Sequence, residues 1–185
     1  MKKIDEFNAS DRVGVKLLEN NVHFLVGEID EENIAECIKW IVYENFDTKD
    51  KTLTLYINST GGDLYQAFAL IDVIRNSKFP VRTIGIGAVM SAAFMIFASG
   101  HQGQRFAAKY TSFMCHQFTS GVDAKYHDLK AEMKETELLN DKMIDILKAA
   151  TGLAPSVIRK KLLPASDVYL TADEAIELGI ADQIL

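Results

Sequence analysis

Four places in this sequence hold residue types that can do chemistry. The first is Ser59-Thr60-Gly61-Gly62-Asp63, which follows an alternating strand and opens a helix. Glycines at such a turn permit positive φ and let a ligand approach the backbone. Exposed amides there bind anions or a developing oxyanion. Glycines serve a plain strand-to-helix connection equally well. The second is Ser91, where a glycine-rich apolar strand becomes a helix in Ala88-Val89-Met90-Ser91-Ala92-Ala93. A serine there has amides and the positive end of the helix dipole beside it. It also reads as an ordinary N-cap. With Ala93 two positions on, it is not the Gly-x-Ser-x-Gly elbow of α/β-hydrolases. The third is His116, at the end of the apolar run Phe113-Met114-Cys115. An imidazole at a strand end can reach into a cleft as a general base near neutral pH; a half-buried histidine bonded to backbone is the alternative. His23 in a strand, His101 in a loop and His127 on a charged helix have no better setting. The fourth is Asp167, in a loop, where a carboxylate can orient an imidazole and stabilise its cation or simply satisfy the turn. Asp63, Asp72 and Asp182 are not better placed.

The elements that must position these residues follow from periodicity. Val22 to Val26 reads as a first strand. Glu31 to Phe46 reads as a helix with Ile34, Ile38, Ile41 and Val42 on one stripe. Leu53, Leu55 and Ile57 alternate along the strand Thr52 to Asn58. After the Gly-Gly turn, Leu64, Phe68, Ile71 and Ile74 recur at helical spacing. Val81 to Gly87 gives a strand and Ser91 to Ala98 a short apolar helix. Gln104 to Ala107 and Thr111 to Cys115 read as strands. Residues 122–150 form one long amphipathic helix, and Pro155 opens a short one. Thr171-Ala172-Asp173-Glu174 is a capping box. Strands alternating with helices predict an α/β fold, with helices covering the sheet. The expected layout is a mobile N-terminal arm over residues 1–14 and a single domain over 15–185.

Composition narrows the function. The chain has 185 residues, 48% hydrophobic and 25% charged, so it supports a packed core without metal or disulfide staples. Lys plus Arg is 20 against 26 Asp plus Glu, a net charge of −6. No basic tail is present, which argues against nucleic-acid binding through phosphate. Cys37 and Cys115 make no metal-type or redox-type pair; two cysteines in a chain this size fit a reducing compartment, and the expected location is cytoplasmic. Acidic residues interrupt the N-terminus before an export signal can form. The stretch from Thr83 to Gln104 lacks Lys, Arg, Asp and Glu. Its glycines and serines break it into pieces far shorter than the ~20 residues of a membrane span. No membrane association, cofactor or metal is expected.

The order and spacing of the four sites resemble the proteolytic-subunit family of the Clp protease, ClpP, from about Val15 to Leu185. Tyr-Ile-Asn-Ser-Thr-Gly-Gly at 56–62 is similar to that family's Tyr-Ile-Asn-Ser-Pro-Gly-Gly, and Gly62 to Ser91 has the family's spacing. Met114-Cys115-His116-Gln117 resembles its histidine motif. Asp167 to Ala175 and Gly179 to Asp182 resemble its closing Asp-x-Phe-x-Ser-x-x-Glu-Ala…Gly-x-x-Asp. The resemblance implies Ser91 as nucleophile, His116 as general base and Asp167 as its orienting partner, with the amides of Gly62 and Ala92 as oxyanion hole. It implies a crotonase-like superhelix of strand–strand–helix units. The helix over 122–150 would protrude as a handle joining two stacked heptameric rings. It also implies unfolded polypeptides as substrate, fed by a separate AAA+ unfoldase. The chain has no Gly-x-x-x-x-Gly-Lys-Ser/Thr loop with which to bind ATP itself.

This sequence departs from the family pattern at named positions. Thr60 replaces proline in the oxyanion turn, Ala92 and Ala93 replace Met-Gly or Met-Ala, and Phe118 replaces a proline after His-Gln. Val168 stands where the family often has an arginine linked to ring–ring contacts. Three other readings stay open at this point. They are a crotonase-type acyl-CoA hydratase or hydrolase, a non-catalytic ring or scaffold subunit, and a Ser–Lys peptidase using Lys109.

Overall fold

The alternation at 53–57 does what its period dictates: Leu53, Leu55 and Ile57 are fully buried while the residues between them are half-exposed. The computed structural model describes residues 9–119, 121 and 125–185. Among them the chain forms a seven-stranded sheet with seven helices, the expected mixed α/β fold.

The sheet path is β1 (Val22–Ile29), β2 (Leu53–Gly62), β3 (Val81–Met90), β4 (Arg105–Ala107) and β7 (Gln183–Ile184), all paired in parallel. Parallel neighbours need crossovers, and the helices supply them. β3 divides its partners along its length. Thr83 to Gly85 pair with β4, whereas Ala88 to Met90 pair with β5 (Ser112–Cys115). β6 (Val168–Leu170) then adds antiparallel to β5, with Met114 opposite Tyr169. Where β3 changes partner, its register against β2 also shifts, between Ile57 and Ser59. The Asn58 side chain fills the gap in the ladder: its Oδ1 accepts from the Ala88 amide at 3.0 Å.

Helices α2 (Glu31–Glu44), α3 (Leu64–Arg75) and α4 (Ala92–Ala98) pack in sequence against each other and the sheet. Every side chain of α4 is buried. The buried stripe of α2 is Ile34, Cys37, Trp40 and Ile41; Val42, expected inside, is exposed, because the stripe follows the a/d/e spacing that Trp40 completes. Two further differences concern the ends of elements. β2 does not stop before the glycines but runs through Gly61 and Gly62, which pair with Glu28 and Ile29 of β1. A helix, α1 (Ala9–Glu19), occupies part of the expected arm; residues 1–8, where the arm and the leader reading also fall, lie outside the described residues.

The long helix α5 runs Tyr126–Thr151, 26 residues or roughly 39 Å; residues 122–124 of its expected start lie outside the described residues. Its C-terminal half is core, with Leu139, Met143, Ile144, Ile146 and Leu147 buried. Its N-terminal half exposes Leu129, Leu138 and Met133, the last 65% accessible. α6 (Pro155–Lys161) and α7 (Ala172–Glu177) complete the chain, and the Thr171–Glu174 capping box forms. No described helix is long and apolar enough to cross a membrane.

Candidate active site

The β3–β5 ladder brings two candidate residues together. Met90 pairs with Met114, so Ser91 lies one residue past one end of that rung and His116 two residues past the other. The Ser91 amide donates to the Met114 carbonyl at 2.9 Å, which pins the serine to β5. Its side chain does not cap α4. Instead Ser91 Oγ lies 2.7 Å from His116 Nε2, so the N-cap alternative is not what the structure adopts. Ser91 has φ 54° and ψ −122°, a conformation that costs a non-glycine residue about 1–3 kcal/mol and persists only where surroundings enforce it. Here they are the buried α4 behind it and the β5 bond beneath it.

Asp167 arrives from the other side. β6 runs antiparallel to β5 with Cys115 opposite Val168, which sets Asp167 beside His116. Its Oδ1 is 3.6 Å from His116 Nδ1, an electrostatic contact longer than a hydrogen bond. The loop carrying it is tied to the histidine loop by Gln117, whose Nε2 donates to the Leu163 carbonyl at 3.0 Å.

The Gly-Gly segment passes directly over Ser91. A Cβ on Gly61, at φ 105°, would lie 2.7 Å from Ser91 Cβ, 2.9 Å from the Met90 carbonyl and 3.2 Å from the Ala92 amide nitrogen. Only glycine lets β2 come this close. On its other side, a Cβ on Gly62 would collide with the Ile29 backbone. The turn is held by Ser59, whose buried Oγ accepts from the Gly61 amide at 3.1 Å. Gly62, Ser91, Ala92, His116, Cys115 and Phe118 all line one cleft of about 410 Å³.

Residues set aside in the sequence have structural employment. His101 Nδ1 accepts from the Val81 amide at 3.0 Å. His23 stacks on Trp40, and burial holds its pKa below the ordinary value, with Glu36 pulling weakly the other way. His127 lies exposed at the start of α5. Asp63 caps α3 by accepting from the Gln66 amide. Lys109 sits over the Tyr110 ring and lines a different cleft with Ser112 and Tyr169, so the Ser–Lys arrangement does not form. Asp182 grips the buried Arg105 by two side-chain hydrogen bonds of 2.6 and 3.0 Å. Burial opposes its charge, but the Arg105 bonds prevail and hold its pKa below the ordinary aspartate value. Cys115, beside the histidine, is buried and its thiol is pushed up to about 12. Two contributors carried no sequence signal of their role: Asn58 as the patch in the ladder and Gln117 as the tie between loops.

Comparison with known proteins assigns the chain to a family. Residues 6–185 match the family model described as Clp protease. The chain is 31% identical over 173 residues to the ATP-dependent Clp protease proteolytic subunit 1 of Rhodopirellula baltica, an alignment covering 94% of this chain and 75% of that protein.

Proposed function

The chain belongs to the Clp protease family, and on that footing we propose that it is a serine endopeptidase with Ser91 as nucleophile, His116 as general base and Asp167 as the residue that orients His116. The observation that carries the proposal is the 2.7 Å contact between Ser91 Oγ and His116 Nε2, made by a serine in a strained conformation instead of a helix cap. Ser91 Oγ–H donates to Nε2, which leaves the Nδ1 proton facing Asp167. As Oγ attacks a peptide carbonyl, His116 takes its proton and Asp167 stabilises the imidazolium. The amides of Gly62 and Ala92 receive the oxyanion. His116 then protonates the leaving amine, and water, activated by the same imidazole, releases the acyl group from Ser91.

The substrate we assign is unfolded polypeptide, cut inside a chamber of two stacked heptameric rings in the cytoplasm and delivered by a separate AAA+ unfoldase. Support for assembly comes from α5, whose N-terminal half exposes Leu129, Met133 and Leu138, which no core among the described residues covers. Support for an ATP-dependent partner comes from the name of the Rhodopirellula baltica relative. Two free, buried cysteines are compatible with a reducing compartment.

The test is labelling with a fluorophosphonate, mapped by mass spectrometry, alongside hydrolysis of a fluorogenic peptide. Label on Ser91, lost with hydrolysis in Ser91→Ala, is expected; removal of a triad nucleophile costs on the order of 10⁶ in turnover. Near-normal cleavage by Ser91→Ala would refute the assignment. Light scattering that gave a monomer mass at all concentrations would refute the rings.

A further inference from the structure

The cleft that holds Ser91 has two kinds of wall. Its floor is apolar: Met95, Leu139 and Met143 are buried there, with Leu64 and Phe118 half-buried beside them. Its rim is acidic: Asp63, Glu132 and Glu135 all line it, and no lysine or arginine does so among the described residues. The placement of Glu135 is enforced. Tyr65, at the start of α3, donates its Oη to Glu135 Oε1 at 3.1 Å, a tie between α3 and α5 across 70 residues of chain. The negative field is felt at that tie. The Tyr65 proton is held more tightly than usual, first through the Glu135 bond, then through desolvation, and then through the charges of Glu135, Glu132 and Asp63.

We propose that Glu132 and Glu135 make this cleft select a lysine or arginine side chain on the acyl side of the scissile bond. The inference rests on the reading of Ser91 as nucleophile and deepens it. A long basic side chain matches both walls at once. Its methylene stem covers the Met95, Leu139 and Met143 floor, and its head reaches the carboxylates while keeping contact with water. An apolar side chain fills the floor and gains nothing from the rim. An acidic side chain meets three like charges. Asp63 is already committed to capping α3, where it accepts from the Gln66 amide, so the selective charges are the two on α5. Tyr65 is a positioning residue that keeps Glu135 turned into the cleft.

Lysine and norleucine share a stem of the same length and differ in the charged head, so a pair of otherwise identical fluorogenic peptides isolates the rim. The assay is kcat/KM for each peptide on the assembled protein, with assembly mass checked for each variant. The wild-type ratio of lysine to norleucine is expected to fall about three- to tenfold in Glu132→Gln/Glu135→Gln, since each partly exposed carboxylate is worth at most a few-fold. In 1 M salt the wild-type ratio should shrink toward that of the variant. Tyr65→Phe should lower the ratio by a smaller factor. If the double variant fails to assemble, Glu132→Gln alone, at an exposed helix position, carries the same test. A ratio that stays the same or rises in the variants overturns the selectivity while leaving the peptidase reading intact. Absence of any Ser91-dependent cleavage overturns that reading and this inference with it.

Discussion

Replacing Gly61 by alanine should separate nucleophile geometry from fold. The new Cβ would stand 2.7 Å from Ser91 Cβ and 2.9 Å from the Met90 carbonyl, and neither neighbour is the far end of a flexible chain. Gly61 also has φ 105°, so alanine is strained there whatever the space; about 1–3 kcal/mol of stability is lost. At roughly 2–4 °C per kcal/mol for a chain this size, the melting point falls by up to about 12 °C. The larger effect is on rate. Relief of the clash must push Ser91 away from His116 or lift the Gly-Gly segment off the cleft. A displacement of about 1 Å in a catalytic group costs on the order of 100-fold. Gly103 is the control, because it too has positive φ, 79°, yet a Cβ on it meets nothing within 4 Å. Gly103→Ala should lower the melting point without changing kcat/KM. Peptide hydrolysis and thermal unfolding of both variants, measured on material of equal assembly mass, decide the matter. A Gly61→Ala protein with wild-type kcat/KM would show that the close approach over Ser91 has no part in the chemistry.

Three further outcomes are expected. Because Asp167 stands 3.6 Å from His116 on a half-exposed loop, specific activity should fall on dilution as subunits separate; constant activity per subunit down to the monomer, followed by mass measurement at each point, would place triad geometry within one chain. Arg105→Met should cost about 3–5 kcal/mol in denaturant unfolding at pH 7, since it strands the Asp182 carboxylate. The Asp182 pKa is depressed on folding, so its contribution is present above the ordinary aspartate range and lost as pH falls through the lowered folded value, and the gap between wild type and variant should narrow in acid. Cys37 and Cys115, both raised to about 12 by burial, should resist a thiol reagent at pH 8 and react only in guanidinium; rapid labelling of either in the folded protein would contradict their burial.

Ser91 and His116 were legible only as candidates, each at the end of an apolar run where side chains leave a parallel sheet; the order and spacing of the motifs, not either residue alone, singled them out. Asp167 was legible by motif alone: nothing in its own residue type distinguishes it from Asp182, whose partner Arg105 is 77 positions away. The strain at Ser91 was invisible, since positive φ in a serine is imposed by α4 and β5 and is not encoded in its neighbours. The Gly-Gly segment reads as a turn on local chemistry, and pairing with Glu28 and Ile29 overrides that preference. Helix α1 escaped for a different reason: it is amphipathic at the helical period but falls in the segment read as a polar arm, and its apolar residues Val13 and Leu18 stay exposed, so no core demands them. The two-sided wall of the cleft needed the fold, because Tyr65 and Glu135 meet only once α3 and α5 are side by side.

The rung joining Met90 to Met114 also sets when the candidate site can form. Ser91 meets His116 only through strand pairing across 25 residues, and Asp167 joins only after β6 has added to β5 near the end of the chain. Contacts this distant in sequence close late, after local helices have formed, because loop entropy delays them. A chain that is complete but still partly unfolded therefore carries every residue of the site without its geometry. On the proposed reading of Ser91 as nucleophile, hydrolysis begins only once β6 has joined β5.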